Sequence, residues 1–129
     1  MASRGRPYRT VQIGAFEVLI GRGSEENDAL TFRVAERNDT WLHVGGGTPG
    51  SHVVIRNPDR VEIPREVLET AAAAAAWHSK ARSAKAVTVD YCLAASVSKP
   101  RGAPAGSVEL SKWKTLRVAP KAPPSGEEE

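Results

Sequence analysis

Apolar positions along this chain recur with two different periods. The stretch "VQIGAFEVLIGRG" (11–23) alternates apolar and polar residues on either side of Gly14. That period of two predicts two short strands or a hairpin, closed by Gly21 and Gly23. In "SEENDALTFRVAER" (24–37) the spacing changes: Leu30 and Val34 lie four apart, Glu25 and Glu26 stand early, and Arg33 and Arg37 late. With Ser24 as N-cap, this predicts a short helix over about 24–36. "TWLHV" (40–44) and "SHVVIR" (51–56) read as strands bracketing a loop in which Gly45–Gly47 and Pro49–Gly50 are turn formers. "IPREVLETAAAAAAWHSKAR" (63–82) predicts a long helix over about 64–82: Pro64 suits the first turn, Glu66 and Glu69 lie near its positive end, and Lys80 and Arg82 near its negative end. Its six alanines have high helix propensity and almost no bulk, so the helix can lie close to a sheet. Further strands follow in "KAVTVDYCLAA" (85–95), with Val87, Val89 and Tyr91 on one face, and in "KTLRVAP" (114–120), separated by the proline- and glycine-rich "SVSKPRGAPAGSVEL" (96–110).

Strands in runs with two helices inserted predict an α+β domain, a mostly antiparallel sheet with the long helix packed on one face. At 129 residues the chain fits one domain, taken as 10–120. The flanks, a flexible N-terminus over 1–9 and a disordered acidic tail over 121–129, have too little apolar content to offset the entropy of ordering. The opening residues lack the apolar run of a secretory signal, and Ala71–Trp77 is too short to span a bilayer. The expectation is a cytoplasmic protein with no membrane association. A lone cysteine, Cys92, excludes an internal disulfide and sits in a strand, where burial would keep it inert.

Net charge is +3, and its distribution is uneven. Through Trp77 the chain has nine Arg/Lys against ten Asp/Glu; from His78 to Lys121 it has nine against two, Asp90 and Glu109. A basic half suggests a polyanionic partner, because neutralising phosphates releases counterions. If the sheet gathers Lys80, Arg82, Lys85, Lys99, Arg101, Lys112, Lys114 and Arg117, they form one positive face. Trp113 between lysines and Tyr91 are the available stacking platforms, although Tyr91 shares the phase of Val87 and Val89 and so reads as core.

The loop between His43 and His52 admits other chemistry. His43 and His52 face each other across the expected hairpin, but with His78, Asp39 and Cys92 they match no zinc spacing, so no metal or other cofactor is assigned. A hydrolase would use Ser51 as nucleophile, His43 as base and Asp39 as orienting acid; His52, adjacent to Ser51, points to the other side of a strand. The triple glycine lacks a following "GKS" or "GKT" and precedes a strand rather than a helix, unlike a nucleotide P-loop. Its backbone N–H groups remain suited to a single phosphate.

The ordered set "GRGSEENDALTFRVA", "DTWLHV", "PGSHVVIR", "AAAAAAWHSKAR", "VTVDY", "VSKPRGAPAGSV" and "KTLRVAP" resembles the NFACT-R domain, the RNA-binding module of NFACT proteins, from about Phe16 to Pro120. In its multidomain relatives this module accompanies a tRNA-engaging N-terminal domain, a helix-hairpin-helix segment and a coiled coil, and acts on the large ribosomal subunit in ribosome-associated quality control. The resemblance implies a stand-alone, non-catalytic module that binds tRNA or another structured RNA. It implies a surface made of Arg22, Asn27 and Asp28; Asp39, Trp41 and His43; Pro49, Gly50, Ser51 and His52; Ser79, Lys80 and Arg82; and Lys99, Gly102 and Gly106, to which the charge pattern adds Arg101. Between His43 and Pro49 the family pattern is one residue shorter and often polar or basic, whereas this chain has "VGGGT". DNA is the alternative ligand, a partner protein a further one, and an enzyme at His43, Ser51 and His52 the alternative of a different class.

Overall fold

The computed structural model describes residues 8–124. Strand β1 (Arg9–Ile13) turns at Gly14 into β2 (Phe16–Ile20), followed by α1 (Ser24–Ala29). Then come β3 (Thr40–Val44), β4 (Val53–Ile55), α2 (Arg65–Trp77), β5 (Val87–Leu93), the two-residue strands β6 (Val97–Ser98) and β7 (Glu109–Leu110), and β8 (Lys114–Val118). Six strands form one sheet in the order β1-β2-β4-β3-β5-β8 with every pair antiparallel, and β6 and β7 form a separate ribbon. The α+β class and the antiparallel sheet read from the sequence are those of the molecule.

Alternation along the strands sorts side chains onto two faces. Val18, Ile20, Leu42, Val44, Val53, Ile55 and Val89 point to one face and pack with Val67, Leu68 and the buried alanines of α2. Ala71, Ala72, Ala74, Ala75 and Ala76 are fully buried, so the polyalanine run is the close helix-to-sheet contact its lack of bulk predicts. The opposite face carries Leu19, Trp41 and Val54, which pack with Tyr8 and Leu30, flanked by Val97 and Leu110 of the ribbon and by Val108 just before it. The sheet is therefore covered on both sides, by α2 on one and by α1 with the ribbon on the other.

Several boundaries differ from expectation, each for a local reason. The long helix stops at Trp77 rather than near 82, because the chain beyond it pairs with the β3–β4 loop: Lys80 N donates to Pro49 O (2.9 Å) and Ser51 N to His78 O (2.9 Å). Lys80 and Arg82 thus leave the helix before its end charge would hold them there. The short helix begins as expected, but Gly23 rather than Ser24 occupies the cap position, and from Leu30 to Val34 the turn widens to π geometry, with Ala35 N donating to Leu30 O (2.9 Å). The wider turn puts both Leu30 and Thr31 inside. Tyr8 and Arg9, expected in a flexible N-terminus, belong to the fold: Arg9 starts β1 and Tyr8 is buried in the second core. Lys121, expected in the tail, bonds through its N–H to Ala73 O (3.1 Å). Of both expected flexible ends, residues 1–7 and 125–129 lie outside the described residues.

Candidate functional site

The β3–β4 connection is the hairpin that the sequence predicts. Thr40, Trp41 and Leu42 pair with Ile55, Val54 and Val53, and Gly46 and Gly47 turn the chain with φ of 70° and 76°, values that side chains with a Cβ rarely adopt. The register carries His43 and His52 opposite one another, with ring centroids 5.2 Å apart and nearly perpendicular. Beyond them the returning chain touches the segment after α2 through a bridge between Gly50 and Ser79. A Cβ on Gly50 would come within 2.7 Å of Ser79 Cβ, so glycine is required there for closeness.

The two histidines have different roles. His52 is 2% exposed. Its Nδ1 lies 2.7 Å from Thr31 Oγ1, which also accepts from Trp41 Nε1 (3.1 Å). Since the hydroxyl accepts from the indole, its own proton is free for Nδ1, and a neutral imidazole protonated at Nε2 completes the set. Burial drives the His52 pKa down to about 3, with the neighbouring His43 adding to the shift against opposing backbone groups of Gly106 and Asn27. His43 is half-buried, with its ring stacked at 5.9 Å on Trp41. Burial lowers its pKa as well, while backbone groups of Val44 and Gly50 and the charge of Asp90 oppose the shift. Both imidazoles are thereby held toward the neutral form.

Around this pair runs an open groove of about 970 Å³ on the sheet face away from α2. Trp41, His43, His52 and Asp90 line its sheet side; Gly47–Ser51 and Trp77–Lys80 line one wall with Arg82; Arg22–Ser24 and Asn27 line another, and Ala105–Val108 a third. Of the residues expected at the surface, Arg22, His43, Ser51, Ser79, Lys80 and Arg82 meet here. Arg82 lies with its guanidinium 4.5 Å over the Trp77 ring and its Nε donating to Trp77 O (2.8 Å). Arg22 is held to Glu26 (3.3 Å). Ser79 Oγ donates to Ala76 O (2.7 Å) and accepts from Ala81 N (3.0 Å), which fixes the turn that presents Lys80.

Other expected contact residues, Trp41 and Asn27 at the groove among them, are also built into the framework. Trp41, 1% exposed, belongs to the second core. Asn27 is buried with its Oδ1 accepting from His52 N (3.0 Å) and its Nδ2 donating to Gly50 O (3.3 Å), tying α1 to the hairpin. Asp28 holds the 99–106 loop: its Oδ1 accepts from Lys99 Nζ (2.6 Å) and Gly106 N (3.1 Å), and the Lys99 bond, then the Gly106 bond, lower its pKa. Lys99 is therefore already paired, and Arg101 at the exposed loop tip does not line the groove. Asp39 is wholly buried at the far end of β3, accepting from Glu36 N (2.8 Å) and Asn57 N (2.7 Å) beside Arg56 Nε (2.7 Å). It cannot orient a histidine in the groove, so the Ser51–His43–Asp39 arrangement does not form. Among the described residues, no three or more His, Cys, Asp or Glu side chains are placed to hold a metal ion. Cys92 is only half-buried, and burial, helped by the charge of Asp90, raises its thiol pKa to about 11.

The single basic face does not assemble at the groove. Of the nine cations between His78 and Lys121, Lys80 and Arg82 line it, while Lys114 and Arg117 lie on β8, the edge strand next to β5, with Lys112 just before it, and none of the three lines the groove. Arg9 and Arg22, from the half with balanced charge, line it instead. Trp113 is 51% exposed but away from the groove, and Tyr91 packs against the α2 core. Thr31, which bonds His52 from behind, and Trp77 and Asp90, which line the groove, carry parts of the site that the sequence pattern did not single out. Only Trp77, an aromatic two residues before Ser79, has a local signal.

The sequence model of a family described as "NFACT protein RNA binding domain" matches residues 6–112. The chain is 42% identical over 105 residues to a protein named "Rqc2 homolog RqcH" from Bacillus subtilis (strain 168), covering 81% of this chain and 18% of that one. It is also 42% identical over 118 residues to a protein of the same name from Streptococcus suis (strain 05ZYH33), covering 91% and 21%. The solved C-terminal part of the fibronectin/fibrinogen-binding protein from Streptococcus suis superposes with a TM-score of 0.80 at 40% identity, over 89% of this chain and 45% of that one. The chain thus spans about a fifth of the length of the curated relatives it matches.

Proposed function

We propose, from the premise that this chain belongs to the NFACT protein RNA binding domain family, that it is a non-catalytic module that binds structured RNA such as tRNA in the groove beside the His43–His52 hairpin. The observation that carries this reading is the convergence of Lys80 and Arg82 on the groove that Ser51 and Ser79 line. Phosphates are met by cations and N–H or O–H donors. The shape suits a folded RNA rather than the deep groove of a regular duplex. His52 is tied to Thr31 in the framework and Asp39 lies away from the groove, so no nucleophile, base and orienting acid stand together, which favours binding over hydrolysis. The name of its relatives, "Rqc2 homolog RqcH", supports a setting in ribosome-associated quality control, and we place the protein in the cytoplasm. No described helix is long and apolar enough to cross a membrane.

Fluorescence anisotropy with labelled tRNA across a salt series tests this. Affinity falls linearly on logarithmic axes, and replacing Lys80 and Arg82 together by alanine weakens binding at every salt concentration and flattens the slope by about 2, roughly one for each phosphate no longer neutralised. Unlabelled DNA of matched length competes less well than RNA. Absence of binding at low salt, or an unchanged slope in the double variant, overturns the proposal.

A further inference from the structure

The groove that Lys80 and Arg82 border also contains a carboxylate, and a carboxylate repels phosphate. Asp90 sits on β5 directly across from His43 on β3 and lines the same groove. It accepts no hydrogen bond and forms no ion pair with any described residue, although burial raises its pKa. The facing His43 is kept toward its neutral form, so it supplies little charge to balance Asp90. A half-buried carboxylate whose oxygens meet no protein donor keeps both of them open to whatever occupies the groove.

The neighbouring backbone leaves this group uncovered. Gly45, whose N–H donates to Thr88 O (2.9 Å), passes so near that a Cβ there would lie 3.1 Å from Asp90 Oδ1 and 3.3 Å from Oδ2. The departure "VGGGT" from the family pattern therefore places a residue without a side chain where one would crowd the carboxylate. The exposed cations Lys80 and Arg82 stand at the walls, while Asp90 and His43 lie half-buried on the sheet side. With phosphates met by Lys80 and Arg82 at the walls, the room left for bases is on the sheet side, beside Asp90.

We propose that Asp90, uncovered by Gly45 and flanked by His43, reads the N–H edge of an unpaired guanine in the bound RNA. This inference rests on the RNA-binding reading and adds base selection to it. Guanine alone among the four bases offers two parallel donors, N1–H and the N2 amine, to the two oxygens of one carboxylate. Adenine and cytosine offer a single exocyclic amine beside a ring acceptor, and uracil offers one N–H between two carbonyls that repel the carboxylate. Unpaired bases are the usual elements of sequence recognition in RNA, because their Watson–Crick edges are open.

The test uses the whole chain and a set of RNA stem–loops whose loops are all uridine except one position, occupied by guanine, inosine, adenine, cytosine or uridine. Guanine binds tightest, by about ten-fold over adenine. Inosine, which keeps N1–H and lacks the N2 amine, falls between guanine and adenine. Asp90→Asn removes the preference for guanine, and Gly45→Ala, which leaves the carboxylate in place but crowds it, reduces that preference. If the loops bind with the expected salt slope but without a guanine preference, base reading fails while the RNA-binding proposal stands. Base reading fails in the same way if the preference survives in both variants, or if Asp90→Asn merely strengthens binding to every loop equally by removing a negative charge. If no loop and no tRNA binds at low salt, both readings fall together.

Discussion

Replacing Asp39 by asparagine separates framework from binding surface. The two side chains have nearly the same shape, so the change acts through hydrogen bonding. In the native protein one fully buried carboxylate accepts from Glu36 N at 2.8 Å and Asn57 N at 2.7 Å and lies 2.7 Å from Arg56 Nε. An amide has one acceptor oxygen in place of two. Whichever way it is turned, an NH2 group then faces a backbone N–H or the arginine, and a buried donor loses its acceptor. The cost is about 2–3 kcal/mol for an unmet buried donor in a charged network. For a domain of this size that lowers Tm by roughly 8–12 °C. Thermal unfolding followed by circular dichroism measures the shift, and tRNA anisotropy well below the transition measures binding. The expected result is a clear loss of stability with RNA affinity within about two-fold of wild type, because Asp39 does not line the groove and the domain stays folded at the assay temperature. A variant that melts like the wild type would refute the buried clamp. One that keeps its Tm and loses RNA affinity would return Asp39 to the binding surface, where the sequence pattern first placed it.

Two further predictions concern the groove. His52 is held neutral with a pKa near 3, against about 6.5 for an unfolded histidine, so the unfolded state takes up its proton first as pH falls. Stability is full above about pH 6.5 and declines as pH drops toward 3, with His43 acting in the same direction; by pH 5 the His52 contribution lost is about 2 kcal/mol. Thermal melts between pH 7 and pH 5 follow this, and a His52→Gln variant, less stable at pH 7, shows a shallower dependence; an equal slope in the variant would contradict the assignment. Lys99→Ala removes a half-exposed ion pair with Asp28 and costs at most about 1 kcal/mol. Because Lys99 is already paired, its loss weakens tRNA binding less than Lys80→Ala does, and in NMR titrations the Asp28 carboxyl moves up toward its ordinary value; a binding loss equal to that of Lys80→Ala would place Lys99 in the interface.

The local features were legible because short-range chemistry decides them. Alternation with a period of two places the strands, the polyalanine run fixes the helix that lies closest to the sheet, and the glycines between Val44 and Thr48 determine the hairpin that sets His43 against His52. The ordered motifs in the sequence point to the family that the comparison finds. The sequence read as a surface also contained residues that fold inward. Trp41, Asn27 and His52 carry polar atoms and yet are buried, because Thr31 at a widened helical turn satisfies an indole and an imidazole at once and the Asn27 amide bridges two backbone groups. No local pattern announces a partner twenty residues away.

Charge shows the same division. Composition determines that the second half is basic, but sheet order sends Lys112, Lys114 and Arg117 to an edge and pairs Lys99 with Asp28, so the cations at the groove come from both halves of the chain. Which strands neighbour one another is set by the burial of two faces at once, a property of the whole sheet. The sequence by itself therefore determined the elements, the hairpin and the chemical types available. Only the tertiary structure decided which polar groups satisfy each other inside and which, such as Asp90 beside Gly45, are left lining the groove.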